Sequence, residues 1–155
     1  MSMAMLAGKV GQELGVSPWC AVEQDRIDRF AAATDDHQWI HVDRDRAAAG
    51  PFGRAVAHGF LTLSLLAPTA YQVLAEVFEG ATAFNYGLDK VRFIAPVLEG
   101  SRVRNRIMLR SLEQKGGDRW LLTTENTMEI EGEAKPALIA VSLVMILPGT
   151  VQPPS

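Results

Sequence analysis

The only three histidines of the sequence, His37, His41 and His58, all fall within residues 37–58, next to the acidic pair Asp35 and Asp36. Imidazole is the side chain best suited to moving protons near neutral pH. Asp36 stands five positions before His41, and a turn between them can bring both groups to one cavity. Such a pair suits the addition of water to a conjugated alkene beside a thioester. One group deprotonates water, the other places a proton on the α-carbon, and the developing enolate oxygen needs donors. His58-Gly59 opens an apolar run. If that run is a helix, its first amides lack internal partners and carry the positive end of the dipole. Gly59 has no side chain to keep a carbonyl away. Plainer roles compete: a capping carboxylate for Asp36, and a packed or solvated loop histidine for His41.

Other chemistries have less support. His37 and His41 have i,i+4 spacing, and Asp36 or His58 could complete a metal site, but no His-Glu-x-x-His pattern is present. Cys20 lies far from the histidines in sequence, and Ser64 has no Gly-x-Ser-x-Gly elbow around it. No phosphate-cradling glycine loop or dinucleotide fingerprint occurs. Thr62, one turn past Gly59, could bond substrate or its own helix. Asn85 and Tyr86 could line an acyl pocket or simply begin a strand. Arg102, Arg104, Arg106 and Arg110 could meet coenzyme A phosphates, as could Lys90 and Arg92; a solvated strand face is the commoner use of such a stripe. Trp39, Phe52 and Phe60 could shape an acyl tunnel or pack a core.

The elements that must position these groups can be read from periodicity. Residues 24–34 carry Ile27, Phe30, Ala31 and Ala33 near helical spacing, with Gln24 a poor cap. Residues 35–59 are mixed and include the Gly50-Pro51-Phe52-Gly53 turn signal. Residues 59–78 are too continuously apolar for an exposed helix and predict a largely buried one, kinked or divided at Pro68. Strands are expected over residues 85–97, 102–112, 120–130 and 137–147. In the second, Val103, Ile107 and Leu109 face away from the arginines. Gly116-Gly117-Asp118 marks a hairpin, and Gly132 lies in the next connection. Residues 8–22 read as an extended lead-in with a turn at Pro18. A long buried helix followed by antiparallel strands gives an α+β class, the sheet wrapped on the helix.

Composition excludes several classes. At 155 residues, 48% apolar and 21% charged, the chain fits one globular domain. A net charge of −3 argues against a nucleic-acid partner. The single cysteine forbids an intrachain disulfide and suits a reducing compartment. The N-terminal MSMAMLAGKVGQELG lacks a signal-peptide pattern and no apolar span of membrane length occurs, so a cytoplasmic protein is expected. The core is expected over about residues 8–147, with 148–155 a loose tail.

Several separated motifs now agree. The run Ala33-Thr34-Asp35-Asp36-His37-Gln38-Trp39-Ile40-His41-Val42-Asp43, then Ala47-Ala48-Ala49-Gly50-Pro51-Phe52-Gly53, then Ala57-His58-Gly59-Phe60-Leu61-Thr62 resembles the MaoC-like dehydratases. These are the (R)-specific enoyl-CoA hydratases, or hydratase 2. His37-Gln38-Trp39-Ile40-His41, Asn85-Tyr86-Gly87-Leu88-Asp89-Lys90-Val91-Arg92-Phe93 and Ala95-Pro96-Val97 are closest to the NodN-like branch. The resemblance spans roughly residues 8–147. It implies a hot-dog fold, a curved antiparallel sheet around a long central helix, and a homodimer with sites near the subunit interface. It implies reversible hydration of a trans-2-enoyl thioester to the (R)-3-hydroxyacyl product, on coenzyme A or acyl carrier protein, with no metal or other cofactor and no membrane partner. The family motif Gly-Asp-x-Asn-Pro-(apolar)-His places its catalytic Asp on Asp36 and its His on His41, and its His-Gly on His58 and Gly59, with the Gly59 amide as oxyanion donor. Thr62, Asn85 and Tyr86 are further candidates for binding substrate.

Three positions depart from the motif: Asp35 replaces Gly, Gln38 replaces Asn and Trp39 replaces Pro. Asp35 matters most. A second carboxylate facing the cavity would make ionising both costlier, and a non-glycine residue resists positive φ. The expectation is that Asp35 points to solvent. Two rivals remain: a hot-dog thioesterase, which needs a carboxylate aimed at the carbonyl carbon, and a non-catalytic acyl-binding protein.

Overall fold

A computed structural model describes residues 1–149; of the expected tail at 148–155, residues 150–155 lie outside the described residues. In chain order the elements are α1 (Met3–Ala7), β1 (Glu13–Val16), β2 (Cys20–Val22), α2 (Gln24–Thr34), α3 (Trp39–Val42), α4 (Arg44–Ala48), α5 (Gly59–Ser64), α6 (Leu66–Val73), α7 (Ala75–Phe78), β3 (Thr82–Phe93), β4 (Ser101–Lys115), β5 (Arg119–Ile130) and β6 (Leu138–Leu147). The strands form one antiparallel sheet in the order β1-β4-β5-β6-β3, with β2 also paired to β4.

The alternation in β4 divides its two faces. Val103, Ile107 and Leu109 are buried, and so is Asn105, which the apolar pattern did not single out. The arginines face outward, each beside a glutamate: Arg102 with Glu131, Arg104 with Glu129, Arg106 with Glu129 and Glu13, Arg110 with Glu125. The stripe is a cross-strand ion-pair ladder on a solvated face, the commoner of its two readings.

The helices cover the opposite face. Ile27 of α2 and Leu61 and Leu66 from the central helical stretch pack with Val103, Met128 and Leu138 of the sheet. A second cluster joins Leu74 and Val77 to Leu109, Leu122 and Ile146, and takes in Leu6 of α1. Ahead of the expected lead-in, α1 buries Leu6 completely, and the lead-in itself is two short strands, β1 and β2, separated at the expected turn by Pro18.

The expected helix over 59–78 is three pieces broken at Leu65 and Leu74. Pro68 explains the first break. It has no N–H to return to Ser64, so it sits in the first turn of a new helix, where that donor is not needed.

Candidate active site

Asp36, His41 and His58 come from three separate elements. α2 is capped at its C-terminal end by Asp35, which takes φ 61° and ψ 19°, the one non-glycine residue of positive φ among those described. The left-handed turn that a glycine would supply is thus kept, because a short acidic side chain tolerates that region better than most. Asp35 is solvent-exposed, as expected. Asp36 follows it, its Oδ1 facing the Gln38 amide at 3.4 Å. α3 then carries His41, and His58 is the residue before α5.

Each histidine is fixed by one ring nitrogen. His41 Nδ1–H donates to the Val56 carbonyl at 2.5 Å, which leaves Nε2 as its free, basic nitrogen. His58 Nε2–H donates to the Asp36 backbone carbonyl at 2.9 Å, so the Asp36 loop is strapped to the start of the central helix. The two rings stack with centroids 3.9 Å apart. Phe30 of α2 packs against His58, and Gln24 Nε2 donates to the His41 carbonyl at 2.7 Å, which ties α3 to α2. One carboxylate oxygen of Asp36 and one ring nitrogen from each histidine lie within 4.8 Å of one another.

His41 is 7% exposed and His58 2%, while Asp36 is open to solvent. Burial pushes His41 below the ordinary histidine pKa. The bond to Val56 opposes that shift, His58 reinforces it, and the Asp36 charge opposes it again. His41 is therefore a neutral imidazole near pH 7, with a lone pair on Nε2 to accept a proton.

The stacking argues against the two histidines clamping one metal ion. An imidazole holds a metal about 2.0–2.1 Å from nitrogen and near the ring plane. Rings stacked at 3.9 Å, 25° from parallel, share no in-plane point within that reach. The His37–His41 pairing fails as well, because α3 starts only at Trp39 and His37 is exposed on the segment before it.

His41, Gly59 and Thr62 open onto a cavity of about 270 Å³, lined also by Phe52, Phe93 and the 94–97 segment. Gly59 lets the Phe93 ring come close, since a Cβ there would stand 3.1 Å from it. The hydroxyl of Thr62 bonds no described residue, unlike Ser64 and Thr69, which bond back to their own helices. Asn85 and Tyr86 are elsewhere. They line a second cavity of about 330 Å³ with Leu63, Ala67 and Thr124. Trp39 lies outside the first cavity and stacks beneath Arg46 instead. Sequence reasoning missed Val56, Gln24 and Phe30. Nothing local marks them, since each acts through a contact made by folding.

A family model described as MaoC like domain matches residues 6–130. Over 143 residues, 92% of this chain and 94% of the relative, the sequence is 50% identical to 3-hydroxyacyl-thioester dehydratase Z of Mycobacterium tuberculosis. It is 48% identical to Nodulation protein N of Rhizobium leguminosarum bv. viciae, covering 94% of this chain and 91% of that one. Among solved structures, the (R)-hydratase from A. caviae involved in PHA biosynthesis superposes with a TM-score of 0.68 at 24% identity, covering 87% of this chain and 94% of that one. The shared architecture is the hot-dog fold.

Proposed function

The chain belongs to the MaoC-like dehydratase family, and on that premise we propose that it is a hydro-lyase adding water reversibly to a trans-2-enoyl thioester. The observation that carries the reading is the state of His41: its Nδ1–H is held by Val56, its Nε2 is left free and neutral, and the Asp36 carboxylate is nearby.

The proposed step places one water between Asp36 and His41. His41 Nε2 takes a proton as the water oxygen bonds to C3. The electrons of the C2–C3 double bond move toward the thioester carbonyl, which becomes enolate-like. A proton returns to C2 from the Asp36–His41 pair on the same face. The Gly59 N–H stands at the first position of α5, where no intrahelical acceptor exists, and is proposed to polarise the carbonyl oxygen. His58 strengthens the arrangement by holding the Asp36 backbone, and Thr62 offers a hydroxyl to the substrate. The product is expected to be the (R)-3-hydroxyacyl thioester, on coenzyme A or acyl carrier protein.

A homodimer is part of the proposal. β3 is the last strand of the sheet, and Phe84, Tyr86, Leu88, Phe93 and Ile94 on or beside it are exposed. An apolar sheet edge of this length calls for a cover. No described helix is long and apolar enough to cross a membrane, and a cytoplasmic location is proposed.

Crotonyl-CoA tests the reading. Hydration removes the enoyl absorbance without releasing free thiol and yields one enantiomer on chiral analysis. Thiol release without alkene loss would point to the thioesterase instead. Tight binding with no turnover would point to a non-catalytic protein.

A further inference from the structure

The second cavity has apolar walls from Leu63, Leu66, Ala70 and Leu74, yet Thr124 and Ser142 are also in its lining. These two stand directly opposite each other on β5 and β6, with their hydroxyls 3.0 Å apart. Behind them Asn105 Nδ2 donates to Asn126 Oδ1 at 3.0 Å. That bond sets the Asn126 amide so that its NH₂ faces the hydroxyls, reaching Thr124 Oγ1 at 3.0 Å and Ser142 Oγ at 2.9 Å. The same NH₂ also lies 3.2 Å from the Thr124 carbonyl and 3.5 Å from that of Ala140. Both hydroxyl oxygens accept from Asn126, and one hydroxyl proton is used between them. The other has no acceptor among the described residues. Ser142 is only half-buried, so this hydroxyl is open to whatever fills the cavity.

This cavity and the one holding His41 share the same helix and strand. α5 gives Gly59 and Thr62 to one and Leu63 and Ser64 to the other; β3 gives Phe93 to one and residues 85–88 to the other. We infer that the second cavity receives the far part of an acyl chain bearing an oxygen acceptor, such as a hydroxyl, ketone or ether, which takes the spare Thr124/Ser142 proton. The inference rests on Asp36 and His41 being the hydrating pair.

The test compares plain and ω-hydroxylated trans-2-enoyl-CoA esters from C6 to C14 by kcat/KM, with crotonyl-CoA as the reference for the hydrating pair. The hydroxylated-to-plain ratio should peak at one chain length, about five- to tenfold above its neighbours, as one well-made hydrogen bond allows. The peak should be lost in Thr124→Val and in Ser142→Ala. The second change is the milder and serves if the first does not fold. A ratio flat across lengths, or a peak kept in both variants, overturns the inference while leaving crotonyl-CoA hydration intact. Absence of crotonyl-CoA hydration in the unaltered protein would instead remove the reading beneath it.

Discussion

The imidazole of His58 lies stacked on that of His41, and its Nε2–H reaches across 22 positions of sequence to the backbone carbonyl of Asp36. One ring thus touches both members of the proposed acid–base pair. His58→Phe keeps a ring to stack but removes the strap. It should lower kcat for crotonyl-CoA hydration by about ten- to a hundredfold through misplacement of Asp36. A positioning role predicts that kcat falls more than KM changes, with the pH midpoint moved; an unchanged profile would assign His58 to packing alone.

The direction of the His41 shift gives a pH dependence. Its pKa in the folded chain lies below the ordinary histidine value of about 6.5, with burial the largest cause. Nε2 accepts a proton only when neutral, so kcat/KM should be level at neutral pH and fall on acidification with a midpoint under that value. Stability follows the same sign. Between the folded pKa and about 6.5 the unfolded chain binds more protons, so the contribution is full above 6.5 and is lost as pH falls toward the folded value. Urea unfolding at several pH values, compared with His41→Gln, should show the acid-side loss reduced in the variant.

Asp35 carries the only non-glycine positive φ among the described residues, at the end of α2. Left-handed backbone costs a residue with a side chain about 1–2 kcal/mol, less for a short acidic one. Asp35→Gly should therefore raise stability by up to about 1 kcal/mol, partly offset by added freedom in the unfolded chain. Hydration should persist, because the exposed Asp35 side chain is not part of the pair. Thermal unfolding and a crotonyl-CoA assay on one preparation check both.

Arg104 and Arg106 share Glu129 on the outer face of the sheet. Arg104→Ala or Arg106→Ala should leave KM for coenzyme A thioesters within about twofold and cost stability on the scale of surface ion pairs, about 0–1 kcal/mol. A tenfold rise in KM would return the stripe to phosphate binding.

Much of this was legible in the sequence wherever one element's own pattern decides. The alternation of Val103, Ile107 and Leu109 against four arginines gave the two faces of β4, and the spacing of Ile27 and Ala31 gave α2. Contacts made only by folding were not legible. Asn105, between Val103 and Ile107, is a buried hydrogen-bond donor to Asn126 and Thr69, a role that no local pattern marks. Asn85 and Tyr86 stood as candidates to line an acyl pocket or to begin a strand, and the length of β3 places them at the second cavity and not at the one beside His41. The proximity of Asp36, His41 and His58 was expected from the family motif, but the stacking and the strap depend on how α2, α3 and α5 meet.

The central claim is that Asp36 and His41 act on one water. It is tested most directly by crotonyl-CoA hydration in Asp36→Asn and His41→Gln, with circular dichroism confirming the fold. The expected loss is at least about a hundredfold in kcat for each, within the usual contribution of a general acid or base. A folded variant of either residue that hydrates at close to the unaltered rate would contradict the account.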